Sequence, residues 1–222
     1  MGTRELTAEA AGTFALVLAL CGPLLFAPAG AAGLAAALAA GGVVVAMTAA
    51  FSPVSGAHLN PAITLGLIAA GRLDSSRAPL MILVQCLGGL AAAGLLALVM
   101  AGTATPPKGG FASVANGYDR VFGLTAVFAL EAVATALLVL VVVGMGGRRA
   151  PATLAPLAIG LATVSLYLLT IPVSGGGLNP ARSLATAVFA GTGAILQLWV
   201  FWVAPILGAV LGGVVGRLIS DD

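Results

Sequence analysis

The chain alternates apolar runs with short polar breaks, and the runs come in two lengths. Six of them, at about 5–27, 32–51, 78–101, 121–145, 152–170 and 196–218, hold around 20 residues each. At 1.5 Å of rise per residue, each is a helix able to cross a hydrocarbon core about 30 Å thick. Two more, at about 61–70 and 180–190, have half that length, which suits a re-entrant segment better than a span. The pattern predicts an all-α membrane protein with six transmembrane helices and two re-entrant half-helices. The first run follows Met1-Gly2-Thr3-Arg4-Glu5-Leu6 almost directly, and further apolar runs succeed it. It is expected to be a retained span, since a signal peptide has a shorter apolar core and a soluble region after its cleavage site.

Composition removes the soluble alternatives. The chain is 60% hydrophobic and 7% charged, with a mean hydropathy of +1.16, where a soluble domain carries about 25% charged residues. A net charge of +2 gives no footprint for nucleic acid. Cys21 and Cys86 both sit inside apolar stretches, so no disulfide framework is expected. His58 is the sole histidine, and neither metal-ligand spacing nor a nucleophile–base pair stands out. No metal, cofactor or enzymatic activity is expected. With the N-terminus placed in the cytoplasm, Arg4, Arg72, Arg77, Arg148, Arg149 and Arg217 fall on the cytoplasmic side, and only Lys108 and Arg120 fall outside. That follows the positive-inside rule and puts both termini in the cytoplasm. Arg182 belongs to neither side, because it lies within the second short run.

The chain also repeats itself. Glu9-Ala10-Ala11-Gly12-Thr13 resembles Glu131-Ala132-Val133-Ala134-Thr135, and Ser55-Gly56-Ala57-His58-Leu59-Asn60-Pro61-Ala62 resembles Ser174-Gly175-Gly176-Gly177-Leu178-Asn179-Pro180-Ala181. Both pairs are about 120 residues apart. An odd number of spans separates the copies, so they enter the membrane from opposite faces, as an inverted repeat does. One channel domain over 1–222 is expected: repeat one at about 1–101, a Gly- and Pro-rich external connector at about 102–120, and repeat two at about 121–222.

Each Asn-Pro-Ala has a helix-starting logic. Asn is a favoured N-cap, and Pro is favoured at the first helical position, where its missing N–H costs nothing. Asn60, Pro61 and Ala62, and again Asn179, Pro180 and Ala181, therefore open the two half-helices. Their N-termini, each carrying about half a positive charge, are expected to meet near the midplane and repel cations and protons. The two asparagine amides would donate to a passing water and orient it against proton transfer. The irregular stretches before them would offer carbonyls of Gly56, Ala57, His58, Gly175 and Gly177 to the passage, since irregular backbone at membrane depth must be buried or line a wet cavity. Glycine at 175, 176 and 177 suits a backbone that closely approaches the solute. Glu9 and Glu131 are intramembrane acids. They are read as anchors accepting hydrogen bonds from the half-helix loops, with ion coupling as the competing role. Arg182, with no acid near it in sequence, is expected to face the passage and exclude cations.

At these residues the chain resembles the major intrinsic protein family, the aquaporins and aquaglyceroporins, in its bacterial form, over nearly the whole length. The resemblance implies passive conduction of water and small uncharged solutes across a lipid bilayer, one passage per protomer, a homotetramer, and a bacterial cytoplasmic membrane as its location. It also implies an outer selectivity filter, which falls here on Ala40, Tyr167, Gly176 and Arg182. Strict water channels of the family typically carry an aromatic at the first position and histidine at the second. Ala40 and Gly176 thus imply a wide filter admitting glycerol, urea or metalloid acids. Ser183, Ala187 and Phe201-Trp202 resemble the strict water channels instead. Mercury-sensitive members often carry Cys at the position of Gly176, so block there is not expected. The competing readings are a strictly water-selective channel and an ion-coupled secondary transporter, which inverted repeats with broken helices also build.

Overall fold

In the computed structural model, which describes residues 2–119 and 121–220, six helices are long and apolar enough to cross a membrane. Arg120, assigned to the outer side above, lies outside the described residues. Helices α1 (Thr3–Phe26), α2 (Ala29–Ser55), α4 (Ala78–Ala101), α6 (Leu124–Met145), α7 (Ala155–Ser174) and α10 (Val200–Ile219) match the six long runs, with α3 (Pro61–Ala69) and α8 (Pro180–Ala190) at the two short ones. A short helix α9 (Thr192–Gln197) extends the last span. The connector was expected to be simply a link between halves. It contains a further helix, α5 (Gly110–Val114), whose Phe111 and Val114 are buried against Val17, Cys21 and Leu96. Two apolar side chains in a Gly-rich stretch were too few to show helical periodicity, yet enough to anchor it.

The packing obeys the inverted repeat. Helix α1 lies against α2 and α4, and α6 lies in the same way against α7 and α10, while α2 and α7 cross between the halves. Each half-helix leans on the opposite repeat, α3 on α10 and α8 on α4. Small residues permit these crossings, because lipid supplies no hydrophobic drive and close backbone contact must replace it. A Cβ on Gly88 of α4 would collide with the carbonyl of Ala10 in α1. A Cβ on Gly208 of α10 would collide with that of Ala132 in α6.

Both α2 and α7 carry a proline three residues before a left-handed glycine cap, Pro53 before Gly56 (φ 93°) and Pro172 before Gly175 (φ 83°). Proline removes a ladder hydrogen bond, and glycine accepts the left-handed turn without steric cost. The chain therefore leaves both helices at the same point and turns back into the bundle as a half-helix.

Candidate functional site

The two half-helices start as their sequences dictate. The Asn60 side chain accepts from the Ala62 N–H at 2.8 Å, and the Asn179 side chain accepts from those of Ala181 and Arg182 at 3.0 and 3.3 Å. Pro61 and Pro180 hold the first helical position. With nine and eleven residues, the half-helices are about 14 and 17 Å long, which together match one hydrocarbon core. Their starts are tied reciprocally: Asn60 Nδ2 donates to the Leu178 carbonyl and Asn179 Nδ2 to the Leu59 carbonyl, both at 2.9 Å. Each amide nitrogen carries two protons, so each keeps one beyond this cross-tie.

The loops that deliver these asparagines share one backbone course. Gly56, Ala57 and Leu59 all have positive φ, as do Gly175, Gly176 and Leu178. For Ala57, Leu59 and Leu178 this conformation costs about 1–3 kcal/mol each. The buried glutamates hold it in place. Glu9 accepts from the Ser55 hydroxyl (2.7 Å), the His58 N–H (2.9 Å) and the Leu59 N–H (2.8 Å). Glu131 accepts from the Ser174 hydroxyl, the Gly177 N–H (2.9 Å) and the Leu178 N–H (2.7 Å). Gln85, which sequence reasoning passed over, gives Glu9 a fourth bond at 2.7 Å and reaches Thr64 at 3.1 Å. His58 Nδ1 lies 3.2 Å from the same Thr64 hydroxyl. A lone Gln in an apolar run was the available signal, since a buried amide needs partners.

The glycines of the second loop have a different reason from the one expected. A Cβ on Gly177 would fall 2.5–2.8 Å from the Glu131 carboxyl group, and one on Gly176 would fall 2.9 Å from Ile171 Cγ1 and 3.0 Å from Tyr167 Cδ1. The backbone is bare there to admit its own anchor and a neighbouring ring. The Gly175 carbonyl accepts from Arg182 and the Gly177 carbonyl from the Asn179 N–H. Gly56, Ala57 and His58, by contrast, line a cavity.

That cavity is narrow and mixed in its lining. Leu16, Val44, Leu138, Val142 and Ile159 give it apolar lining, and the chain from Gly56 to Asn60, with Thr48 and Thr163, gives it polar lining. Its water-accessible volume is about 40 Å³, against about 10–15 Å³ for one water, so it holds only a few. Tyr167 stands at its lining, whereas Ala40 and Arg182 are fully buried outside it. The Tyr167 ring packs directly against Gly176.

Arg182 is not the bare cation its sequence surroundings suggested. Nη1 donates to Asn116 Oδ1 (2.7 Å) and the Thr186 hydroxyl (3.1 Å), and Nη2 donates to the carbonyls of Val114 and Gly175 (2.9 Å each). Four of five guanidinium donors are taken, and buried Nε has no partner among the described residues. Asn116 and Val114 come from the connector, whose part in the site sequence reasoning missed.

Six spans that bring two opposed helix starts together beside a narrow cavity define an integral membrane channel, not an enzyme. Residues 2–215 match the family model described as Major intrinsic protein, and the chain belongs to that family. It is 45% identical to Aquaporin Z of Rhodopseudomonas palustris, an alignment covering 100% of this chain and 95% of that one. It is 42% identical to Aquaporin Z of Photorhabdus laumondii, covering 99% and 98%. Its fold matches the X-ray structure of the aquaglyceroporin from Plasmodium falciparum with a TM-score of 0.80 at 22% identity, covering 97% of this chain and 93% of that one.

Proposed function

We propose that the chain conducts water passively and in single file while excluding protons and ions. The reciprocal tie between Asn60 and Asn179 carries this reading. It brings two positive helix ends face to face, and Asn60, with one amide proton to spare, borders the cavity. A lining of apolar side chains with few polar groups among them gives water few partners, so it is held loosely and moves. The names of the relatives, Aquaporin Z, agree with a water channel. Glu9 and Glu131 are occupied by loop donors, so they serve as loop anchors. This favours a channel over an ion-coupled transporter, which needs titratable groups open to its substrate path.

Arg182, Tyr167, Ala40 and Gly176 form the outer constriction in this reading. A second conductance, for small uncharged solutes such as glycerol, urea or metalloid acids, is favoured by the small size of Ala40 and Gly176, a methyl group and a hydrogen. Tyr167 then sets the upper size. The functional unit is a homotetramer in the bacterial cytoplasmic membrane with both termini inside, in keeping with the arginine distribution.

Stopped-flow light scattering on proteoliposomes tests this. Water permeability should exceed that of empty vesicles, with low activation energy and no proton leak. Proton-driven or sodium-driven uptake would exclude it. Replacing Ala40 by Phe should reduce urea and glycerol flux before water flux; if only water passes in the parent protein, the second conductance is absent.

A further inference from the structure

We infer that Asn116, in the connector, is a positioning residue for Arg182, holding the guanidinium so that only its Nε–H is left without a partner among the described residues. This rests on placing Arg182 at the outer constriction. Asn116 is buried, and its amide is bonded on both sides: Oδ1 accepts from Arg182 Nη1 at 2.7 Å, and Nδ2 donates to the Ser174 carbonyl at 3.2 Å. The orientation is forced, because a guanidinium has no acceptor and a carbonyl has no donor. The next residue repeats the attachment, with the Gly117 N–H on the same Ser174 carbonyl at 3.1 Å. Ser174 in turn bonds Glu131 through its hydroxyl. Arg182 is thus tied, through Asn116 and Ser174, to the acid that sets the course of the second loop. Phe111 and Val114, buried in the bundle, keep the connector from drifting.

The hold decides where the charge points. A buried charged N–H deprived of its acceptor seeks another. Without Asn116 Oδ1, Nη1 turns toward water in the passage, and the guanidinium becomes an obstruction. Asn116→Leu, nearly isosteric but without an acceptor, should therefore lower water permeability severalfold and raise its activation energy. Asn116→Asp, which keeps the acceptor, should restore much of the flux. The deciding measurement is a double-mutant cycle. In an Arg182→Val background, Asn116→Leu should change conduction no further, whereas a generally structural residue would lower it in both backgrounds. Asn116→Ser, too short to reach Nη1, serves in the same cycle should the leucine variant not assemble. Wild-type flux in these variants, or an undiminished loss in the Arg182→Val background, would overturn the inference. If Arg182→Val itself left conduction and solute exclusion unchanged, the placement of Arg182 at the constriction would fail instead.

Discussion

Glu131 shows most directly how a single residue shapes this site. Three donors converge on its carboxylate, from Ser174, Gly177 and Leu178. Glu131→Ala strands the Gly177 and Leu178 N–H groups in a buried setting, at about 1–3 kcal/mol each, leaves the Ser174 hydroxyl only the Thr170 carbonyl, and releases Leu178 from a left-handed conformation it does not favour. Loss of folded protein is expected, measured as the monodisperse fraction after detergent extraction. Glu131→Gln should be milder but still destabilising, because its NH₂ must face an N–H that wants an acceptor. Glu9 has Gln85 as an additional donor, so Gln85→Leu should weaken repeat one alone. The acids, the asparagines and Arg182 were legible in the sequence because polar residues in apolar runs need a reason. Asn116 was not, because in a polar connector an asparagine needs none; its role depends on a fold that returns residue 116 to residue 182.

At the scale of the helices, the pattern of run lengths was nearly sufficient. Half-helices α3 and α8 were legible because Asn-Pro-Ala marks their starts and their apolar runs are too short to cross. Helix α5 was missed because five residues carry no periodicity. What the sequence could not tell is which of its many glycines are crossings, and that distinction is testable. Gly88→Ala and Gly208→Ala would each drive a methyl group into a facing carbonyl, and overpacking of this kind costs about 1–3 kcal/mol. Gly42→Ala adds a methyl group with nothing within 4 Å and should be neutral or stabilising, since Ala favours helix over Gly. Thermal denaturation in detergent should separate the first two from the third. Equal midpoints would mean that the close crossings contribute little to holding the bundle together.

At the scale of the whole molecule, the two repeats are alike in backbone and unlike in what surrounds the passage. The first loop borders a cavity, whereas the second is packed against Tyr167, the connector and Arg182. An inverted fold thus carries unlike surroundings at its two loops, a cavity at the first and close packing at the second. The proposed assignment of the membrane faces rests on charge. Arg77 pairs with Glu5 at 2.5 Å, so the starts of α1 and α4 share one face, and most of the other arginines belong to it by span count. The connector lies three spans along and must occupy the opposite face. Cysteines introduced at exposed Ser76 and Thr105 report this directly, because native Cys21 and Cys86 are buried. A membrane-impermeant maleimide added to intact cells whose outer membrane has been opened should label Thr105→Cys at once, and Ser76→Cys only after the inner membrane is breached. Labelling of both from the same side would break the inverted topology. Reversed labelling would keep the topology but turn the molecule over, placing the tight constriction on the cytoplasmic side.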